Sequence, residues 1–191
     1  MFGYLRSFLP WISFAVLSTN GQYRYGALAG FLLAAVLLVV DRRAGRPWDA
    51  QIIEISSAVF FGGLAVAAFA VTPAPLGAYG PAASVGWLAL TAWGSLAIRR
   101  PFTLGIAKTM APPEAHGTRL FQRVNAVVTT VWAAAFTLNA AGLALLLHYA
   151  PHATTALLAV KVCGFAVPAV FTARYSQATA RQVEATAPAR A

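Results

Sequence analysis

Four stretches of this chain run almost without charge for close to the length that crosses a bilayer: Tyr25 to Val40, Ala50 to Val71, Ala82 to Ile98 and Val124 to Leu147. A helix needs roughly 20 consecutive apolar residues to span the hydrocarbon, and a soluble fold of this size cannot hide several such runs at once. Composition agrees, with 59% of residues hydrophobic and 10% charged, against about a quarter charged in an ordinary soluble domain. The fold class this implies is all-α, a polytopic transmembrane helical bundle.

Read along the chain, the pattern predicts six spans. The first, about Leu5 to Leu17, is short and holds Pro10, which suits a short, tilted or re-entrant helix. Met1 to Ser18 has Arg6 ahead of an apolar stretch, as a signal peptide does, but no small-x-small cleavage site follows, so it reads as a retained first helix. The second span is about Tyr25 to Val40. A polar break from Asp41 to Asp49 follows, where Trp48 is suited to headgroup depth. The third span is about Ala50 to Val71, and Asp49 reads as a helix-start residue favoured by the macrodipole. A loop of Thr72, Pro73, Pro75, Gly77, Gly80 and Pro81 carries no charge, as a short translocated turn would. The fourth span is about Ala82 to Ile98, the fifth about Val124 to Leu147 and the sixth about Ala153 to Phe171, with a kink expected at Pro168.

Between spans four and five, Pro101 and Pro112–Pro113 bracket a short helix whose Phe102, Ile106 and Met110 recur every four residues. That stripe predicts an interfacial helix with Lys108 turned to headgroups; the alternative is an ordinary connector packed under the bundle. Residues 1–174 thus form the transmembrane domain, and 175–191, lacking apolar periodicity, a frayed or disordered cytoplasmic tail.

Charge sets the topology. Arg6, Arg42, Arg43, Arg46, Arg99, Arg100, Lys108, Arg119, Arg123, Arg174, Arg181 and Arg190 fall on one side of the six spans and Arg24 on the other. By the positive-inside bias both termini are cytoplasmic. The net charge of +9 is therefore explained by loops facing the bilayer's anionic headgroups, and the basic residues form no nucleic-acid stripe. Arg99, Arg100, Lys108, Arg119 and Arg123 are the candidates for headgroup contact.

Lys161 is the one basic residue inside a span. A charge there needs a partner or a water-filled cavity, and Asn139 lies at similar depth on the preceding helix, so the two are a candidate ligand-binding pair. The alternative is a snorkelling lysine beside an asparagine that serves as interhelical glue. Glu54, near the inner end of the third span, is a further candidate, read either as a proton-relay carboxylate or as an ion-pair partner of Arg42, Arg43 or Arg100. Gly26 and Gly30 have the spacing that lets helix backbones approach closely. Phe121, Asn125, Trp132, Phe136 and Asn139 fall on nearby faces of one helix, as an aromatic packing seam closed by interhelical amide bonds would. Cys163 reads as a buried, inert thiol in an apolar run. His148 and His152 are four apart, but Pro151 intervenes and nothing completes a metal site. No cofactor motif, nucleophile elbow or phosphate-cradling glycine loop is present, which argues against an ordinary hydrolase or nucleotide enzyme.

The stretch Arg99 to Asn139, RRPFTLGIAKTMAPPEAHGTRLFQRVNAVVTTVWAAAFTLN, resembles bacterial integral membrane proteins related to the intracellular septation protein A family. The resemblance lies in RPFT at Arg100 to Thr103, Ala107, Phe121, Asn125, Trp132, Phe136 and Asn139. It implies a small helical protein of the bacterial inner membrane, linked to envelope maintenance or division, with no catalytic residues to carry over. Three functions stay open at this point. One is a structural or accessory protein that packs with itself or with a partner membrane protein. A second is a small-solute transporter or channel using Lys161 and Asn139. The third is a membrane enzyme acting on an anionic lipid or isoprenoid at the cytoplasmic face, which needs an acid or base beside its arginines.

Overall fold

A computed structural model of the protein describes residues 6–19, 22–71 and 76–186. Leu5, Thr72, Pro73, Pro75, Pro188 and Arg190, with the side chains of Asp49 and Glu184, lie outside the described residues. The described residues are helical, without strand: α1 (Leu9–Thr19), α2 (Tyr23–Arg43), α3 (Ile52–Ala70), α4 (Gly80–Ala97), α5 (Phe102–Lys108), α6 (Arg119–Tyr149) and α7 (Thr154–Thr186).

Helices α2, α3 and α6, and α7 as far as Gln182, are each long and apolar enough to cross a membrane. Helix α4 meets that test only together with α5, across a bend of 79°. Helix α1 has 11 residues, about 16 Å of axial rise at about 1.5 Å per residue, well short of a hydrocarbon core about 30 Å thick. The bundle therefore holds four candidate spans, or five if the bent pair is one span, where the sequence pattern predicts six. The difference lies in α1 and in the break after α4.

Helix α1 is the wedge of the bundle. Phe8, Trp11 and Phe14 are buried while Leu9, Ile12 and Val16 on its other side are exposed, the one-sided burial expected of a helix with a single protein-facing stripe. Phe8 stacks on Trp132 at 5.3 Å and meets Phe136 and Phe165 edge-on. Trp11 stacks on Phe60 at 5.2 Å and packs on Phe61. The aromatic rings of α1 thus join the α2–α3 pair to the α6–α7 pair, and each ring pair adds roughly 0.5–1.5 kcal/mol beyond the area it covers.

Small residues and hydroxyls set the other helix contacts. Gly26 sits under Phe14, Leu17 and Ser18 of α1, and Gly30 lies so close to Phe61 of α3 that a Cβ there would come within 2.8 Å of the ring. Trp87 Nε1 donates to Ser56 Oγ at 2.8 Å, Ser56 and Thr91 share a hydrogen bond, and Trp93 Nε1 donates to Thr137 Oγ1 at 3.1 Å. Such bonds hold helices together where lipid offers no hydrophobic drive for them to associate.

The short helix α5, expected to be interfacial, packs against the rest of the bundle. Phe102 and Ile106 are buried, and Met110 beyond the helix end is exposed. Thr103 Oγ1 is hydrogen-bonded to Asn125 O at 3.0 Å and to Thr129 Oγ1 at 2.8 Å, and the helix packs against the turn Trp48–Gln51 and against α6. Two residues of its apolar stripe, Phe102 and Ile106, therefore meet protein, as in a connector packed under the bundle. At the other end of the chain, α7 continues past residue 174 to Thr186. Ala178, Ala180, Arg181 and Gln182 are good helix formers, so helix persists there without an apolar stripe.

Helix order gathers like charges. The start of α1, the end of α2, the start of α3, the end of α4 and the start of α6 form one end of the bundle, which holds Arg6, Arg42, Arg43, Arg46, Arg99, Arg100, Arg119 and Arg123. Arg24, at the start of α2, belongs to the opposite end. There Tyr23 packs on Gly80 and Tyr79 Oη lies 3.4 Å from His148 Nδ1.

Candidate functional site

At the basic end, α4 stops in a Schellman turn: the Arg99 N–H donates to Leu96 O at 2.9 Å and the Arg100 N–H to Ser95 O at 2.8 Å. The motif places its first residue past the cap in the left-handed region, normally glycine's position. Here that residue is Arg99, with φ of 57°. Ser95 Oγ then accepts from the Phe102 N–H at 3.1 Å, which fixes the chain's turn into α5.

Beside it α6 begins, capped by Thr118, whose hydroxyl accepts from the Phe121 N–H at 3.2 Å. The first turn of α6 has no acidic residue; it opens with Arg119, and Arg123 follows one turn later. Basic side chains at a helix N-terminus oppose the macrodipole, which favours anions there. Between these elements lies a cavity of about 500 Å³ lined by Leu96, Arg99, Pro101, Leu104, Arg119, Gln122, Arg123 and Ala126. The lining residues are three arginines and one glutamine together with Leu96, Pro101, Leu104 and Ala126. None of it is acidic or a histidine, so the arrangement can bind an anion and offers no general acid or base to transform one.

Of the headgroup candidates, then, Arg99, Arg119 and Arg123 come together around the cavity. Arg100 and Lys108 do not line it; Lys108 closes the last turn of α5. Gln122 is the polar lining residue that sequence reasoning missed. Its signal was its place one turn inside α6, between two arginines.

Glu54 lies in a second polar cluster, buried where α1, α2 and α3 meet. Its Oε1 accepts from Ser7 Oγ at 2.5 Å, and Oε2 is buried with no hydrogen-bond partner. The ion pairs expected at Glu54 form instead at Asp41, which is 2% exposed and takes Arg6 at 2.7 Å and Arg46 at 3.4 Å. Glu54 sits on the inward face of α3 and Asp41 at the end of α2, within reach of the chain's turn at Arg46. Gln51 Nε2 donates to Arg46 O at 2.8 Å, Trp11 Nε1 to Ser57 Oγ at 2.7 Å, and the Arg42 guanidinium lies 4.1 Å above the Trp48 ring. This cluster ties the ends of three helices together.

Asn139 and Lys161 are not joined by a hydrogen bond. Asn139 is 3% exposed, and both its amide atoms are buried without a partner. Its side chain lies directly over the backbone of Gly164, in the space a Cβ would fill. Lys161 is half-buried, one turn before Gly164, and Cys163 between them, expected to be buried, is exposed because it lies on an outward face of α7. The interhelical amide bonds expected along this seam are also absent: Asn125 Nδ2 donates at 2.8 Å to Phe121 O within its own helix. Trp132 and Phe136 do form the seam, with Phe8 and Phe165 as its other rings. Trp132 Nε1 reaches Thr172 Oγ1 on α7 at 3.0 Å. Phe121 stands apart, stacked on His116 at 5.6 Å.

Compared with protein-family models, with curated proteins and with solved structures, the chain matches none of them.

Proposed function

We propose that this is a multi-span protein of a bacterial inner membrane, of structural or accessory type, which packs with itself or with a partner membrane protein and holds anionic headgroups at its cytoplasmic end. The observation that carries the reading is the basic cavity. Arg119 and Arg123 stand just outside the uncharged run that starts at Val124, and Arg99 just past the one that ends at Ile98, so the cavity lies at headgroup depth. Six passes of the chain, with both ends cytoplasmic, are supported by α1. Though short, it carries the chain from Arg6 beside Asp41 at the basic end to Tyr23 at the other.

Other features favour support over chemistry. The cavity's lining has no acid or base for turning over a lipid, and the Asn139 amide packs against Gly164 where a solute path beside Lys161 would need room. A role in envelope maintenance or division rests on the resemblance from Arg99 to Asn139.

Vectorial labelling tests the arrangement. In a Cys163→Ser background, Arg24→Cys is expected to react with an impermeant maleimide in intact cells, and Arg43→Cys only after permeabilisation. Labelling of both from the same side would overturn the topology and, with it, the headgroup-facing cavity.

A further inference from the structure

The cavity between α4, α5 and α6 has more positive charge than an ordinary phospholipid headgroup requires. A phosphodiester carries one negative charge and two non-bridging oxygens, which a single arginine fork can engage in a bidentate pair. Here three arginines, Arg99, Arg119 and Arg123, and the amide residue Gln122, all of them exposed, are among the lining residues, and no lining residue is acidic. The N-terminus of α6 adds about half a positive charge of its own. Two of the three arginines also sit against local preference, Arg99 at positive φ and Arg119 at the start of a helix without an acidic first turn. Residues held against local rules gather where function requires them.

The apolar lining residues Leu96, Leu104 and Ala126 lie on α4, α5 and α6, the first and last of which lead into uncharged runs, so the cavity suits a ligand that brings a hydrocarbon tail with its charge. At about 500 Å³ the cavity falls in the roughly 300–1,000 Å³ range of small-molecule sites and is roomy for a bare phosphate ion.

We propose that this cavity selects a lipid whose headgroup is a terminal phosphate, a phosphomonoester or diphosphate, over phosphodiester lipids, with the tail leaving past Leu96 and Leu104. This rests on the reading that the basic end faces anionic headgroups, and it names the headgroup. A terminal phosphate carries about −1.5 to −2 charge near neutral pH and three acceptor oxygens, enough to engage more than one fork.

The full-length protein in nanodiscs of phosphatidylcholine, doped in turn with phosphatidic acid or phosphatidylglycerol at equal mole fraction, provides the test, with binding read by thermal shift and by native mass spectrometry. Phosphatidic acid is expected to bind on the order of tenfold or more tightly than phosphatidylglycerol, since each further charge-assisted bond is worth about a factor of ten or more. Inorganic diphosphate alone should bind more weakly than phosphatidic acid. Arg119→Gln and Arg123→Gln should each lower the preference by about tenfold, while Lys161→Met leaves it unchanged. Melting in undoped discs checks that each variant folds; should either fail, Gln122→Leu, which removes donors and no charge, replaces it.

Equal binding of the two lipids would overturn the terminal-phosphate assignment and leave the headgroup reading intact. No gain from either lipid over phosphatidylcholine would overturn both. Diphosphate binding as tightly as phosphatidic acid would overturn the lipid assignment.

Discussion

Replacing Arg99 by glycine separates what the fold wants at that position from what the cavity wants. Arg99 closes the Schellman turn of α4 at φ of 57°, a conformation that costs an L-residue roughly 1–2 kcal/mol. Glycine takes it without that cost but gains about 0.5–1 kcal/mol of freedom in the unfolded chain. The difference leaves about 0.5–1 kcal/mol in favour of Arg99→Gly, equivalent to a rise in Tm of about 1–4 °C for a chain of this size. Arg99→Ala keeps the strain and loses the guanidinium, so it should melt no higher than wild type. The assay is thermal unfolding of the three proteins in the same neutral-lipid nanodiscs, repeated with phosphatidic acid. The expected order without anionic lipid is Gly above wild type and Ala. With phosphatidic acid the wild type gains most, because stabilisation by a ligand grows with its affinity. If Arg99→Gly melted lower than wild type in neutral lipid, the backbone-strain argument would be refuted. If the glycine and alanine variants gained as much from phosphatidic acid as wild type, Arg99 would have no part in binding.

Further expectations concern the bundle itself. Gly164→Ala drives a methyl into the Asn139 side chain and should cost about 1–3 kcal/mol, as overpacking does; a melt of Asn139→Ala/Gly164→Ala that recovers none of this would show that the clash lies elsewhere. Trp11→Ala removes the ring that joins α1 to Phe60 and Phe61 and should cost about 3–5 kcal/mol, read as lost Tm and as new protease cleavage near α1. Asp41→Ala frees Arg6 and Arg46 and should cost about 1.5–3 kcal/mol, the worth of hydrogen bonds to a charged group; a variant within experimental error of wild type would mean that the ion pairs contribute nothing. Lys161→Met should change stability by less than about 0.5 kcal/mol, as substitutions away from packed features do, and a large loss would mean that its ammonium holds a partner.

Sequence periodicity and charge made much of this molecule legible. The long, nearly uncharged runs appear as α2, α3, α4 and α6, and the run around Lys161 as α7, because both the bilayer-length requirement and the helix's closed hydrogen-bonding act locally along the chain. The gathering of basic residues at one end follows directly from that order. Tertiary choices were hidden. The stripe Phe102, Ile106, Met110 has the same spacing whether it meets lipid or protein, and only the Thr103 hydrogen bonds to α6 decide for protein. Asn139 and Lys161 share a depth in their helices, but depth does not fix rotation, and Asn139 packs one turn along from Lys161, against Gly164. Glu54 and Asp41 both border polar breaks, and nothing in their spacing tells which one faces Arg6.

Arg99 was visible as a headgroup candidate, yet its backbone state was not, since a Schellman turn normally signals itself with glycine. That silence is informative in reverse. Where Arg99 holds a glycine's conformation, Arg119 holds a position suited to an acid, and both line the same cavity with Arg123, the departures from local preference converge on one volume at the basic end of the bundle. The buried Asn139 amide, by contrast, departs from its preference alone, against a glycine backbone and with no cavity of its own described. A single orphaned amide is consistent with close helix packing, whereas two cations placed against their local preferences around one opening, with a third beside them, would be favoured by an anion there. The reading of the basic end as a binding site therefore rests on the convergence of these positions more than on the number of arginines.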